Sequence, residues 1–377
     1  MSLGSLEISS APELVFKPLR LRGLVMDVPI LVTLLAVSGL GFVVLYSAVG
    51  GDTTSLLRQG IRIFVALMAF VFFAQIPPRI LRLWAPWIFS VGLALLALVM
   101  LIGAIEQGAQ RWLDLGIVQF QPSELLKLAV PMMVAWYLHE RRLPPTLTQL
   151  LIVSLIIFTP ALLIARQPDL GTAILVIAAG GFAVLLAGVS VRVVTVMGLM
   201  SLGSLVPLWH FMREYQRARV LTFLNPESDP LGAGYNIIQS KIALGSGGLF
   251  GKGWLNGTQA HLEFLPERST DFIFAVIGEE FGLLGLVLLL ALYLILVGRG
   301  LFIAAQAQDT FTQLLAGALS LTFFFCVFVN AGMVCGLLPI VGVPLPLVSA
   351  GGTSMVTLMA SFGMLAAIQG NKKLLAP

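Results

Sequence analysis

Ten long apolar runs follow one another along this chain of 377 residues, and they limit its fold more than any other feature. A helix needs about 20 predominantly apolar residues to cross a bilayer, and tilt accommodates runs of somewhat different length. Only 11% of the residues are charged, against about 25% in soluble domains. This excludes a water-soluble globule, a disordered chain and a nucleic-acid-binding module. The predicted spans are 30–49, 61–76, 84–105, 122–138, 147–165, 171–189, 193–211, 271–297, 312–337 and 350–368.

The predicted fold is an all-α polytopic membrane protein of about ten transmembrane helices. Residues 28–370 form one transmembrane domain, between an N-terminal leader and tail (1–27) and a C-terminal tail (371–377). Segment 212–270, between spans seven and eight, is the one large connector. It is rich in glycine and too short for an independent core, so we predict a lid or platform for a substrate.

Two features of the large connector invite interpretation. Tyr235–Leu244 is amphipathic and is predicted to lie on the membrane surface. Gly251-Lys252-Gly253 suggests a phosphate loop, but Lys252 is not followed by Ser or Thr, and Ser246 stands where the first glycine of that motif belongs. A nucleotide site is therefore excluded here.

Lysine and arginine in the connectors predict the orientation. One set of alternate connectors holds eleven basic residues, while the short connectors of the other set hold four. Basic residues concentrate on the cytoplasmic side, so both termini are predicted to be cytoplasmic. Segment 212–270 and the polar tips at 106–121, 166–170 and 338–349 then face outward.

Ionisable residues inside spans are costly and mark either function or an internal pair. Pro122 suits the first turn of a helix, and Glu124 suits its positive end. Lys127 lies three residues after Glu124, within reach of an ion pair. Two interpretations stay open: a self-satisfied pair, or a Lys127 that presents its charge to an anionic head group.

Carboxylates recur at the predicted starts of two further spans. Asp169 precedes span six, where capping alone explains it, or it binds a ligand. Thr270 and Asp271 precede span eight, where Thr270 caps the helix and Asp271 benefits from the helix dipole, or Asp271 is functional. Glu280 lies deeper in that span and is expected to have an internal partner such as Lys127 or an arginine.

The run 337–354 contains three prolines and three glycines, which prevent a regular helix. At membrane depth, irregular backbone is tolerated where protein covers it or where it lines a cavity. We predict a re-entrant or unwound turn whose amides, with the hydroxyls of Ser349, Thr353 and Ser354, receive an oxygen-rich ligand.

In combination, these segments resemble the SEDS family (shape, elongation, division and sporulation), over roughly three quarters of the chain. The run Leu338–Leu347 is similar to the branch that acts in elongation rather than division. Ala350 stands where family members often carry Tyr, and Ser269 where many carry His. The matching segments are Gln121–Leu128, Gln167–Ala173, Gly245–Gly253, Phe264–Glu267, Thr270–Ala275, Gly278–Glu280 and Asn330–Ser354.

The resemblance implies a peptidoglycan glycosyltransferase that polymerises lipid II, a disaccharide-peptide on undecaprenyl diphosphate, into β-1,4 glycan strands. The reaction would take place on the outer face of the bacterial cytoplasmic (inner) membrane during cell elongation. The implied partners are a class B penicillin-binding transpeptidase, other rod-complex membrane proteins and membrane lipids; no nucleic acid is expected.

The chemistry of this reaction assigns roles to the polar residues. Diphosphate is already a good leaving group, so the second carboxylic acid of glycosidases is dispensable, and one base is enough. Asp271 is the predicted general base, because a partly dehydrated helix entrance makes a carboxylate more basic. Cations must stabilise the departing diphosphate; a divalent ion such as Mg or Mn is compatible with this, although no ligand cluster indicates one. The predicted binding residues are Lys127, Asp169, Arg111, Arg58, Ser349 and Ser354, with Glu124 and Glu280 in support.

Two other functions remain open at this point. A carrier that moves lipid II across the bilayer would use the same anionic head group, broken helices and intramembrane charges. A non-catalytic scaffold of the rod complex would explain a need for partners but not the carboxylates. The polar motifs favour the enzyme because they gather at outward-facing span ends and not near the midplane, where transporters bind.

Overall fold

A computed structural model describes residues 19–372, apart from 22–23, 107–108, 115, 117–118, 191, 194, 197, 200–202, 204–208, 211, 213, 231–233 and 263. Nine of the ten predicted spans coincide with helices in this described part, and the tenth, 193–211, falls largely outside it. The protein is therefore mostly helical, as predicted.

The helices pack into a bundle, and short connectors join most consecutive pairs, the exception being the long stretch between α6 (Leu170–Leu186) and α10 (Ile273–Ala305). Among the described residues, seven helices are long and apolar enough to cross a membrane, and α6 is a shorter apolar helix. The bundle helices are α1 (Val28–Ala48), α2 (Thr53–Ala74), α3 (Pro78–Ile102), α4 (Pro122–Leu138), α5 (Leu147–Arg166), α6 (Leu170–Leu186), α10 (Ile273–Ala305), α11 (Thr310–Val334) and α12 (Thr353–Gly370). The large connector contributes α7 (Glu214–Leu224), a 3-10 turn (Pro226–Ser228), α8 (Tyr235–Ser246) and α9 (Thr258–His261).

Side-chain caps define where several of these helices begin. Asp27, Asp52, Asp169 and Asp309 each accept a hydrogen bond from a backbone amide in the first turn that follows, which satisfies donors that the helix itself leaves unpaired. Because Asp52 caps α2, this helix starts at Thr53, eight residues before the predicted span 61–76. Its polar first turns lower the local hydropathy, which is why the apolar pattern missed them.

Short strands, which the all-α prediction did not include, occur at two places. β1 (Leu19–Leu21) pairs antiparallel with β2 (Leu24–Met26). β3 (Ala104–Glu106), β4 (Ala109–Asp114) and β5 (Gln119–Phe120) form an antiparallel sheet in that order. This second sheet occupies the predicted polar tip 106–121 and carries Arg111 at the end of the bundle.

Aromatic contacts join three helices at the centre of the bundle. Tyr293 of α10, Phe323 of α11 and Phe362 of α12 are buried, and their rings pack edge to face with centroid distances of 5.6 and 4.9 Å. Edge-to-face packing is the preferred geometry of aromatic pairs. The Tyr293 hydroxyl also donates to the Pro346 carbonyl at 2.6 Å, so this core supports the unwound segment between α11 and α12.

Helix α10 is broken at Gly282, where span eight was predicted to be continuous. Gly282 has φ 64° and ψ −160°, a conformation that is essentially restricted to glycine. The glycine-rich segment 247–253 fills the break: Leu283 N donates to Gly248 O at 3.0 Å, Lys252 N to Glu279 O at 2.9 Å and Gly253 N to Glu280 O at 3.0 Å. This part of the connector is packed into the bundle, and helix 273–281 is a separate short piece.

The amphipathic stretch in the connector also packs onto the bundle. Helix α8 buries Ile237, Ser240 and Ala243, and the Ser240 hydroxyl donates to the carbonyl of Val334 in α11 at 2.9 Å. This stretch is helical, and because protein covers one of its faces, that face is not available to the membrane surface.

Replacing Gly282 with Ala should destabilise the protein strongly. A Cβ there would lie 2.3 Å from Gly251 N, and the backbone conformation is strained for any other residue, so we expect a loss of at least about 2 kcal/mol. Gly298→Ala is the matched control, because it lies in the same helix with nothing within 4 Å of its Cβ position. It should be neutral or stabilising by up to about 1 kcal/mol. Thermal unfolding in detergent measures both, and equal melting temperatures would contradict the role of the break.

Candidate active site

A cavity of about 400 Å³ opens at one end of the bundle, where the predicted polar groups around Lys127, Asp169 and Asp271 meet the irregular run 337–354. Its walls come from β4, the start of α4, the corner between α5 and α6, the turn before α10 and the segment 340–354. Polar groups that lie far apart in the sequence therefore share one space. The polar side chains of the wall are Arg111, Gln121, Glu124, Lys127, Asp169, Thr172, Glu267, Thr270, Asp271, Thr353 and Ser354.

Asp271 lies half-buried on this wall, in the turn before α10. The capping interpretation of this motif is wrong, because the N-cap is Phe272, which makes no side-chain cap. The Thr270 hydroxyl donates instead to the Glu267 carboxylate at 2.7 Å. Thr270 therefore does not cap α10, and the benefit of Asp271 from the helix dipole stays a prediction beside the functional one.

The backbone around Asp271 is fixed by three hydrogen bonds to consecutive carbonyls. Ala350 N donates to Ser269 O at 2.9 Å, the Ser349 hydroxyl to Thr270 O at 2.5 Å, and Asn330 Nδ2 to Asp271 O at 2.9 Å. The unwound segment thus holds the turn that carries the carboxylate.

The two predicted serine ligands have different surroundings. Ser349 is buried, and its hydroxyl, besides donating to Thr270, accepts from Leu345 N at 2.8 Å. It does not line the cavity, so the structure gives it a role in shaping the turn. Ser354, in the first turn of α12, does line the cavity.

Glu124 and Lys127 form the predicted ion pair on the cavity wall. The Lys127 ammonium lies 2.7 Å from Glu124 Oε1, with side-chain exposures of 13% and 6%. Glu124 Oε2 is buried and has no hydrogen-bond partner among the residues that the structure describes. The pair is confirmed, and because both residues also line the cavity, it does not exclude contact with a ligand.

Asp169 caps α6, as one of its two interpretations predicted. Its Oδ1 accepts from Thr172 N at 3.2 Å and its Oδ2 from Gln121 Nε2 at 3.1 Å. It also lines the cavity, so the cap holds this carboxylate at the site.

The two predicted arginines are placed differently. Arg111 lies on the wall, where Nε donates to Gln167 O at 3.3 Å and Nη2 donates to the Pro168 carbonyl. Arg58 is exposed on α2 and is not part of the wall. One turn further on, Arg62 is half-buried, with Nε 3.7 Å from the Cβ position of the wall residue Gly352.

Glu280 does not line the cavity, and the prediction of Lys127 as its partner is wrong. It is 1% exposed and accepts a hydrogen bond from the Ser47 hydroxyl, while Lys127 pairs with Glu124. Its neighbour Glu279 pairs with Lys252 at 2.7 Å and accepts from Thr258 at 2.9 Å. Glu279 therefore attaches the large connector to α10, whereas Glu280 connects α10 to α1.

Sequence reasoning missed two residues near the site. Asn330 is fully buried in α11. It could have been identified from the sequence, because it is a polar amide within an otherwise apolar run. Arg62 lies at the edge of the predicted span 61–76 and was counted only among the basic residues of the connectors. Within the described part of the chain, no group of three or more His, Cys, Asp and Glu side chains is arranged to hold a metal ion.

This chain is similar to known proteins over nearly its whole length. The family FTSW_RODA_SPOVE, described as cell cycle protein, matches residues 25–374. The peptidoglycan glycosyltransferase MrdB of Escherichia coli K12 is 53% identical over 352 residues, which cover 93% of this chain and 95% of MrdB. The peptidoglycan glycosyltransferase RodA of Treponema pallidum is 31% identical, covering 94% of this chain and 100% of that protein.

Solved structures show the same fold. One belongs to a peptidoglycan synthase complex that coordinates polymerization and crosslinking; it matches with a TM-score of 0.80 and 34% identity, covering 92% of this chain and 98% of that one. The crystal structure of the rod shape determining protein RodA of Thermus thermophilus matches with a TM-score of 0.70 and 28% identity, with the same coverage.

Proposed function

The chain belongs to the FtsW/RodA/SpoVE family, which confirms the SEDS resemblance, and from this premise we propose that it polymerises lipid II into β-1,4 glycan strands with Asp271 as the general base. The protein is a peptidoglycan glycosyltransferase and a multi-pass membrane protein. The identity of its substrate and the roles of its residues are the proposal.

The single observation that carries the proposal is the position of Asp271 on a cavity wall that also holds two cationic side chains, Lys127 and Arg111. In the proposed reaction, Asp271 accepts the proton of the attacking sugar hydroxyl. The hydroxyl oxygen forms a bond to the anomeric carbon of the donor, and the bond from that carbon to the diphosphate breaks. Undecaprenyl diphosphate leaves with the bonding electron pair.

The cations stabilise the charge that develops on the diphosphate. Lys127 is held in place by Glu124 at 2.7 Å, and Arg111 is held by the carbonyls of the α5–α6 corner. Both are oriented before the substrate arrives, so they cost little reorganisation at the moment of reaction. Ser354 and Asp169 supply hydrogen-bonding groups on the same wall, and a divalent ion on the diphosphate remains a prediction.

We place the cavity on the outer face of the bacterial inner membrane, with both termini in the cytoplasm, and assign the activity to cell elongation. The excess of basic residues in the opposite connectors supports this orientation. A class B penicillin-binding transpeptidase is the proposed partner, supported by the similarity to a chain of a complex that couples polymerization with crosslinking. Other rod-complex membrane proteins are further proposed partners.

The competing function is transport of lipid II across the bilayer. The cavity lies at one end of the bundle, whereas secondary transporters bind near the midplane between structural repeats. Purified protein with its transpeptidase partner, given labelled lipid II in detergent, should produce glycan polymer that is visible on a gel. The same preparation in liposomes reports on flipping. Flipping without polymer would support the carrier, and neither activity would support a scaffold.

A further inference from the structure

Asn330 connects the turn that carries Asp271 to the unwound segment at Val343. It lies in α11 with 0% of its surface exposed. Its Nδ2 donates to the backbone carbonyl of Asp271 at 2.9 Å and to that of Val343 at 2.7 Å. Both acceptors are carbonyl oxygens, so the nitrogen of the amide, and not its oxygen, must face them. Asp271 and Val343 both line the cavity.

The other half of this amide suggests why an asparagine occupies the position. Asn330 Oδ1 is buried and has no hydrogen-bond partner within the described ranges. A buried polar atom without a partner is destabilising, so stability alone does not favour an amide here. The part of the amide that forms hydrogen bonds is its nitrogen, which donates to the carbonyls of Asp271 and Val343.

No common substitute reproduces this pair of donors. An alanine or leucine has none, and an aspartate offers at most one, in its protonated form. A glutamine carries both donors but is one methylene longer, in a site that is closely packed. The arrangement therefore requires an amide of this length.

We propose that Asn330 is a positioning residue for glycosyl transfer, which acts by holding Asp271 at a fixed distance from the segment around Val343. The proposal rests on the proposed function, in which Asp271 is the base. Asp271 lies in the turn before α10, directly ahead of the N-cap Phe272. The Ser349 and Ala350 contacts hold the two preceding carbonyls, and Asn330 holds the carbonyl of Asp271 by a side chain from another helix.

The test compares two variants of the full-length protein with its transpeptidase partner. Asn330→Ala removes both donors, and Asn330→Asp keeps the size and shape of the side chain but leaves at most one. We expect kcat for lipid II polymerisation to fall about 100-fold in Asn330→Ala, the scale of a 1 Å misplacement, with an unchanged KM. Because the surroundings of Asp271 change, the acid limb of the pH profile of kcat should also shift. Asn330→Asp should lose activity too, although it leaves no cavity.

Ser320→Ala is the matched control. Ser320 lies in the same helix, is 1% exposed, and its hydroxyl donates to the Ala316 carbonyl of its own helix at 2.7 Å. This variant should keep the kcat and the pH profile of the unmodified protein. Size-exclusion chromatography and thermal unfolding in detergent establish the folded fraction, to which every rate is normalised. If the alanine variant does not fold, the isosteric aspartate variant carries the test.

The outcomes separate this proposal from the one on which it rests. If Asp271→Asn, assayed in parallel, still polymerises lipid II, the role of Asp271 as base fails. If Asp271→Asn is inactive while folded Asn330 variants keep the rate and acid limb of Ser320→Ala, only the positioning role is overturned. Full activity in Asn330→Asp with loss in Asn330→Ala would assign the effect to lost volume and would also overturn it.

Discussion

Asp271→Asn is expected to lower the rate of lipid II polymerisation by about 100- to 10,000-fold, the usual contribution of a positioned general base. Asparagine has nearly the same shape, and the contact of this residue with Asn330 uses its backbone carbonyl, so the fold should be retained. KM for lipid II should change little, because the missing interaction is with a proton that moves in the transition state.

Asp114→Asn is the control for this substitution. Asp114 lies at the end of β4, near the same end of the bundle, but it is exposed and does not line the cavity. Its Oδ1 accepts a hydrogen bond from Gly116 N at 2.8 Å, and an asparagine oxygen can accept the same bond. Activity should be unchanged. Polymer formation by Asp271→Asn at the rate of Asp114→Asn would rule out the general-base role.

Lys127→Met is expected to have the second largest effect, on both stability and rate. It leaves Glu124 as a buried carboxylate without its ion-pair partner, which typically costs about 3–5 kcal/mol. In the proposed reaction it also removes a cation that stabilises the diphosphate, and the loss of one such group typically lowers kcat by about 100- to 1,000-fold. Thermal unfolding and lipid II polymerisation measure the two effects separately.

The double substitution Glu124→Gln with Lys127→Met separates the two interpretations of this pair. Replacing a buried ion pair by neutral groups of similar volume is often harmless to stability, so the double variant should regain most of its melting temperature. If Lys127 binds the diphosphate, activity should stay low. Recovery of both stability and activity would show that the pair is only structural.

Hydropathy predicted the spans well because it depends on residues that are adjacent in the sequence. Nine predicted spans coincide with described helices, and the errors are at the ends, as at Thr53, where a capped polar turn precedes the apolar run. Strands as short as β5, of two residues, carry too little pattern to be found. The break at Gly282 was missed because it depends on segment 247–253, which is separated from α10 by the end of the connector.

Most of the residues that line the site could be predicted from the sequence, but the contacts that each side chain makes could not. Asp271, Lys127 and Asp169 were identified as costly polar groups near span ends, and all three line the cavity. Ser349 and Ser354 could not be told apart, because the sequence does not show that the Ser349 hydroxyl is used by Thr270. Arg58 and Arg62 differ by one helical turn, and only the packing of α2 against α12 places Arg62 beside Gly352.

The sequence by itself determined that this chain crosses a membrane many times and that a set of charged and hydroxyl groups stands at the ends of its spans. Both properties follow from the transfer of individual residues out of water, which is a local quantity. Only the tertiary structure decided which polar groups line one cavity and which form the hydrogen bonds that maintain its shape. Those contacts join residues 59 positions apart, as in Asn330 and Asp271, or 79 positions apart, as in Ser349 and Thr270, and they exist only after the helices have packed.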